Sequence, residues 1–335
     1  MPRIARLDTP GLLHHIMIRG IEGRKIFNDD ADRENFIERL SALLPETQTQ
    51  CCAWSFLSNH AHFLLRSGPA GIAALMRRLL TGYAASYNRR YKRHGQLFQN
   101  RYKSIICQED SYLLELVRYI HLNPLRARIV ADLKQLDNYS YCGHSALTGK
   151  KERQWQDVEY VLAYFGDRTE VARKGYWSYV EKGIALGKRP ELTGGGLIRS
   201  LGGWDEVKKM KLKGQDRIKS DQRILGQSEF VNNVLSESEK QFSRKYRIKS
   251  LGYDFERVIE RVSELFHLDK DYITGKGRQQ DRVMARDLLC YWAAVELGMS
   301  MVDLARRLEL TPAAISCAVW RGEKMAKGKD YQLDS

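Results

Sequence analysis

The six cysteines, at positions 51, 52, 107, 142, 290 and 317, form no CxxC pair and no framework of regular spacings. That excludes a disulfide scaffold and a structural zinc finger, and it points to a reduced, cytoplasmic setting. No apolar run approaches the roughly 18 residues that a membrane-spanning helix needs. The first residues, MPRIARLDTPG, lack the apolar stretch of a secretory signal. Acidic residues are missing altogether between Glu46 and Glu109. A merely solvated surface would mix both signs, so this block reads as a face kept clear for phosphates.

The basic residues of that block are Arg66, Arg77, Arg78, Arg89, Arg90, Lys92, Arg93, Arg101 and Lys103. The whole chain carries a formal charge of +14, which makes a polyanion the economical partner. Tyr83, Tyr87, Tyr91, Phe98 and Tyr102 are interleaved with the arginines. Aromatics beside Arg suit unstacked bases, although about half of them are expected in the core. Hydrophobic residues make up 43% of 335, enough for a real core in two modest domains or one large one.

Along the chain, residues 12–19 read as a strand and 30–44 as a helix closed by Pro45. CCAWSFL and AHFLLR are two further strands, parted by Ser58 and Asn59. A basic helix over 70–92, a strand over 101–107 and a helix from Asp110 to Leu122 complete a β-α-β-β-α-β-α order. That order predicts an α+β fold for residues 1–148, with a ferredoxin-like antiparallel sheet. Residues 149–250 read as a helical connecting region, with helical pieces at 157–165 and 170–182 and glycine clusters at 194–196 and 202–203. Residues 251–330 read as all-helical. Arg282 to Leu297 and SMVDLARRL are two helices, and a turn at 309–311 leads into a third that opens on Pro312. This is helix-turn-helix spacing, with Ala305 where two helices approach and Glu309 where glycine is usual.

Two pairs of residues carry chemistry. His60 and His62 alternate at the start of a strand, so both imidazoles face one side and together suit one divalent cation. Tyr119 and Asn123 are four apart on a helix. A phenol can attack phosphorus and hold a covalent intermediate, and an amide oxygen can serve as a third metal ligand.

Taken together, SNHAHFLL, GQLFQNRYKS at 95–104, RYIHLNPLRARIV at 118–130 and HHIMIRG at 14–20 resemble the HUH single-tyrosine transposases of IS200-like insertion sequences, and among them the REP-associated tyrosine transposases. The segment 95–104 departs from the pattern at Gln96, where His is common, and at Asn100, where a small residue is common. The resemblance implies a Mg²⁺- or Mn²⁺-dependent endonuclease acting on single strands that flank a DNA hairpin. His60, His62 and Asn123 would hold the metal, and Tyr119 would form a 5′-phosphotyrosine bond and free a 3′-OH. Tyr112 is the runner-up nucleophile.

The DNA-binding residues expected from charge and placement are Arg19, Arg77, Arg78, Arg89, Arg90, Arg93, Arg101 and Lys103 in the nuclease part. In the helical tail they are Arg306, Arg307, Thr311, Ser316 and Arg321. The expected partners are single-stranded and hairpin DNA, with duplex DNA for the tail and no membrane. The protein is expected as a monomer or homodimer near the nucleoid. Since the expected catalytic residues all precede residue 124, a chain cut near 150 is expected to keep its chemistry. The alternative is a non-catalytic DNA-binding regulator that uses the tail and the basic block. A histidine-triad hydrolase would need a third alternating His, and position 64 is Leu; a zinc hydrolase would need HExxH, which is absent.

Overall fold

The computed structural model describes residues 7–187, 189–193, 221–299 and 301–333, with a few helical side chains among them left out. The glycine clusters at 194–196 and 202–203 lie outside the described residues, as does the side chain of Ser316. The chain divides into two compact units: residues 1–45 with 49–235, and residues 46–48 with 236–335.

The first unit is built on the strands β1 (Leu13–Arg19), β2 (Gln50–Phe56), β3 (His60–Arg66), β4 (Lys103–Cys107) and the two-residue β5 (Ile224–Leu225). The sheet order is β2-β3-β1-β4-β5. The first four strands pair antiparallel, in the expected ferredoxin-like arrangement, and β5 adds to β4 in parallel. Strand alternation sorts the side chains. Ile16, Ile18, Trp54, Phe56, Phe63 and Leu65 face α1 (Asp30–Thr47) and α2 (Gly71–Arg90). Leu13, Leu64, Ile105 and Cys107 face the opposite way, toward α3 (Glu109–His121).

α1 does not stop at Pro45. It continues to Thr47 with the proline inside its last turn, and Gln48 turns the chain at φ +51°. A proline that late removes few helical hydrogen bonds, because little helix remains to be broken. The interleaved aromatics also fall inward. Tyr83, Tyr87 and Tyr102 are core residues, and Tyr91 and Phe98 pack against the same cluster. The Tyr83 hydroxyl donates to the Ile26 carbonyl. Their apolar rings are worth more in the core than on the basic surface.

Beyond α3 come α4 (Asn123–Arg126), α5 (Leu133–Asn138), α6 (His144–Leu147), α7 (Val158–Leu162) and α8 (Thr169–Lys182). They are not a spacer. Val161, Leu162, Ala172, Tyr176, Val180 and Leu192 share one buried cluster with Leu116, Val117 and Ile120 of α3. The expected boundary at 148 therefore falls inside the first unit. A buried polar network reinforces the packing: the Tyr176 hydroxyl lies 2.8 Å from His121 Nδ1 and 2.7 Å from His144 Nδ1, and His144 Nε2 is 2.8 Å from Asp137. Val231 and Val234, early in α9 (Ser228–Ser250), pack on Ile106 and Ile224.

The second unit is helical. α10 (Phe255–Phe266), α11 (Lys270–Thr274), α12 (Gln280–Tyr291), α13 (Met301–Arg307) and α14 (Pro312–Lys329) enclose a core that includes Val258, Leu288, Trp292, Leu304, Ile315 and Val319. α12 runs on into a π-helical turn, Trp292–Glu296. Glu309 adopts φ +51° between α13 and α14, the conformation for which glycine is usual. Thr311 caps α14 by accepting from the Ala314 amide at 3.2 Å. Gly322 lets α14 approach α12: a Cβ there would sit 2.0 Å from the Asp287 carbonyl oxygen.

Candidate active site

His60 and His62 lie on β3 with ring centroids 5.3 Å apart. In the antiparallel register Arg19 is opposite His60 and Met17 opposite His62. His15, one pleat further along β1, is the diagonal neighbour of His62 on the same face. Its Nε2 stands 3.0 Å from His62 Nδ1, and its Nδ1 stands 3.0 Å from the Leu192 carbonyl oxygen. α3 crosses this face and brings Tyr119 over the histidines, 6.1 Å from the His62 ring and 6.0 Å from the His15 ring, edge-on to both.

All three imidazoles are biased toward the neutral form. Burial holds His15 at about 4. Burial, with His15 and His60 adding to it, puts His62 well below the ordinary imidazole range. His60 is lowered by burial and then by Arg19. Neutral imidazole is the form that ligates a metal. Two carbonyl oxygens decide where the ring protons sit. The Asn59 amide donates through Nδ2 to the Gly23 carbonyl at 3.1 Å, so its Oδ1 faces His60 Nδ1 at 2.6 Å and accepts that proton. His60 Nε2 is left with a lone pair. Asn123 is buried, and its amide nitrogen has no hydrogen-bond partner among the described residues. Two neutral imidazoles on one face can ligate a divalent cation, whereas the unpaired atom of Asn123 is an amide N–H donor, so any ligation by Asn123 would be through its oxygen.

Tyr119 is half-buried. Burial raises its phenol above the ordinary range, Glu191 adds to the rise, and Arg126 opposes both. The Arg126 guanidinium lies 5.2 Å from the centre of the Tyr119 ring and donates to the Tyr119 carbonyl at 3.2 Å. Its Nε is buried and has no partner among the described residues. Tyr112, on the same helix, packs against the cluster beneath α3, and burial raises its phenol too.

Residues 189–193 are tied down beside this site. Glu115 of α3 accepts from Arg118 at 2.6 Å, from Tyr179 at 2.8 Å and from Arg189 at 3.1 Å. Arg189 also pairs with Glu191, and Lys103 donates to the Thr193 carbonyl at 2.6 Å. Leu192 is buried.

The expected DNA contacts separate into kinds. Arg19, Arg77, Arg89 and Arg101 are exposed, and Arg78 and Arg93 are half-buried, with Arg93 over the Tyr87 ring at 5.7 Å. Arg90 is held by Asp29 at 2.6 Å and by Asp32, so part of its charge is already spent inside the unit. In the second unit Arg321 pairs with Asp287 through two bonds of 2.6 and 2.8 Å, and Arg307 lies over the Phe255 ring. Arg306 is exposed, 3.7 Å from Asp303. Thr311 is engaged as a helix cap.

Sequence reasoning missed His15, Asn59, Leu192 and Arg126 as parts of the site. His15 and Arg126 stand inside the motifs at 14–20 and 118–130, but only the strand register and the fold of α4 reveal what they touch.

No curated protein matches the chain. Among solved structures it is similar to a REP-associated tyrosine transposase bound to a REP hairpin, at 12% identity and a TM-score of 0.38, over 47% of this chain and 98% of that one. Residues 9–123 match the family model of IS200-like transposases, and the matched segment contains His60, His62, Tyr119 and Asn123. Over residues 9–123, about a third of its length, the chain is similar to the IS200-like transposases.

Proposed function

We propose that the protein is a metal-assisted endonuclease that cuts and rejoins single DNA strands beside a hairpin, with Tyr119 as nucleophile. The observation that carries this reading is the convergence of Tyr119 and two neutral imidazoles on one face of the sheet, within about 6 Å of ring-to-ring distance. His60 and His62 would hold the cation, with the Asn123 amide oxygen as third ligand. A bound Mg²⁺ or Mn²⁺ would polarise the scissile phosphate and offset the charge that develops there. The phenol oxygen of Tyr119 bonds to phosphorus, the bond to the 3′ oxygen breaks, and the phenolic proton is given up as the departing 3′ oxygen gains one. The phosphodiester energy is kept in the phosphotyrosine, so a free 3′-OH reverses the step without ATP.

Arg126 has two tasks in this scheme. Its positive charge favours the phenolate against burial and Glu191, and its Nε, without a partner among the described residues, would bond a phosphate oxygen. One chain carries both Tyr119 and the histidines at contact distance, so a monomer suffices for cleavage. The exposed Arg77, Arg89 and Arg101 take the strand backbone. In the second unit, α13 and α14 meet duplex DNA, with Arg306 and Arg307 on phosphates and the start of α14 toward the base edges.

The test is cleavage of a panel of hairpin-bearing oligonucleotides drawn from the DNA around the protein's own gene. With Mg²⁺ or Mn²⁺ the expected product is a denaturation-resistant protein–DNA adduct and a fragment ending in 3′-OH. Binding of the same oligonucleotides without any adduct would favour a non-catalytic regulator.

A further inference from the structure

We propose that His15 is a positioning residue that sets the tautomer of His62 and thereby aims His62 Nε2 at the metal, with the Leu192 carbonyl as the fixed end of the relay. This rests on the reading of His60 and His62 as ligands.

The direction of the relay follows from hydrogen-bond chemistry. A carbonyl oxygen only accepts, so the Leu192 oxygen, 3.0 Å from His15 Nδ1, requires a proton on that nitrogen. A neutral imidazole carries one N–H, so His15 Nε2 is bare. The 3.0 Å contact between His15 Nε2 and His62 Nδ1 then requires the proton on His62 Nδ1. His62 Nε2 is left as a lone pair with its direction held by the ring. The same logic runs through Gly23, Asn59 and His60, where a carbonyl oxygen again anchors the chain. Both ligands are thus set by backbone carbonyls through one intervening side chain each. Hydrogen bonds of this kind on the second ring nitrogen fix the orientation of a ligating histidine and raise its basicity.

The relay also assigns a role to residues 189–193. They come some seventy residues after Tyr119 in sequence, yet Leu192 is buried beside the strands, and Arg189 and Thr193 are tied to Glu115 and Lys103 on either side of it. Those ties hold the carbonyl that anchors His15.

Two measurements on the full-length protein test this. Long-range ¹H–¹⁵N correlation of histidine-labelled, metal-free wild-type protein should find His62 with its proton on Nδ1. A proton on Nε2 would overturn the proposal without recourse to any variant. Calorimetric Mn²⁺ titration should find His15→Leu weaker than wild type by about 10–100-fold, the usual cost of losing such a partner. His15→Gln offers a donor to Leu192 and an acceptor to His62, so its Mn²⁺ affinity should return toward wild type. Equal Mn²⁺ affinity in wild type and a folded His15→Leu would overturn the positioning role. A wild-type protein with the Nδ1 proton and no Mn²⁺ binding would instead uphold the relay and sink the reading of the pair as metal ligands.

Discussion

The Arg126 guanidinium lies 5.2 Å from the centre of the Tyr119 ring and is hydrogen-bonded to the Tyr119 backbone, so the helix that carries Tyr119 and its neighbouring cation form one unit. Burial makes ionisation of the phenol harder, and Arg126 is the cation that opposes it. Arg126→Gln should therefore slow covalent capture of DNA more than it weakens hairpin binding. Loss of a charged hydrogen bond to a phosphate in a partly dry site predicts a drop of about 10²–10³-fold in the single-turnover rate. Quenched-flow measurement at saturating oligonucleotide reads that rate directly. An unchanged rate with weaker binding would reduce Arg126 to a backbone contact.

Acid should destabilise the metal-free protein over a defined window. Burial holds His14 at about 4, and His121 is pushed in the same direction by its burial. The unfolded chain takes up these protons near pH 6.5, whereas the folded chain resists until much lower pH. Stability is therefore full above about pH 6.5 and falls as pH drops toward 4, His14 alone withdrawing about 3 kcal/mol by then. Urea midpoints recorded from pH 7.5 to 4.5 check the sign, and a midpoint that stayed flat below pH 6.5 would contradict it.

Tyr176→Phe should cost about 1–3 kcal/mol, because one hydroxyl serves both His121 and His144 and its removal leaves buried ring nitrogens unsatisfied. Denaturant unfolding measures this, and no loss of stability would mean the network is dispensable. The same packing changes what truncation should do. A chain ending near residue 150 loses Val161, Tyr176, Val180 and Leu192 from the cluster beneath α3 and should not fold. A chain ending near residue 240 keeps them, and should nick short hairpins while losing affinity for flanking duplex. Nicking by the shorter chain would refute this.

Binding should weaken steeply with salt. If about five phosphates are neutralised on a single strand, the log–log slope is near −3.5. Arg77→Ala should make that slope shallower, whereas Arg90→Ala should act more on stability, because Arg90 is already paired with Asp29 and Asp32. Filter binding across a salt series and thermal melting separate the two effects. Equal changes of slope in both variants would contradict the division.

Much of the fold of the first unit was legible because its signals are local. Period-two and period-3.6 patterning located β1 to β4 and α1 to α3, and the alternation of His60 and His62 needed only a strand. His15 was not legible as a partner, since its contact with His62 depends on the register of β1 against β3, which no local pattern encodes. Residues 158–193 read as a connection because their apolar residues come in short helices, and only tertiary packing reveals that Tyr176 and Leu192 complete the core. The turn at Glu309 misled in another way: a non-glycine residue adopts the left-handed conformation there, so the expected glycine was never required.

Covalent attachment of DNA is expected at the Tyr119 phenol. Its most direct test is to trap the adduct on a hairpin oligonucleotide with Mn²⁺, digest it and map the modified residue by mass spectrometry. A nucleotide is expected on the peptide containing Tyr119, and no adduct is expected from Tyr119→Phe although that variant still binds the hairpin. A nucleotide on Tyr112, or an undiminished adduct from Tyr119→Phe, would contradict it.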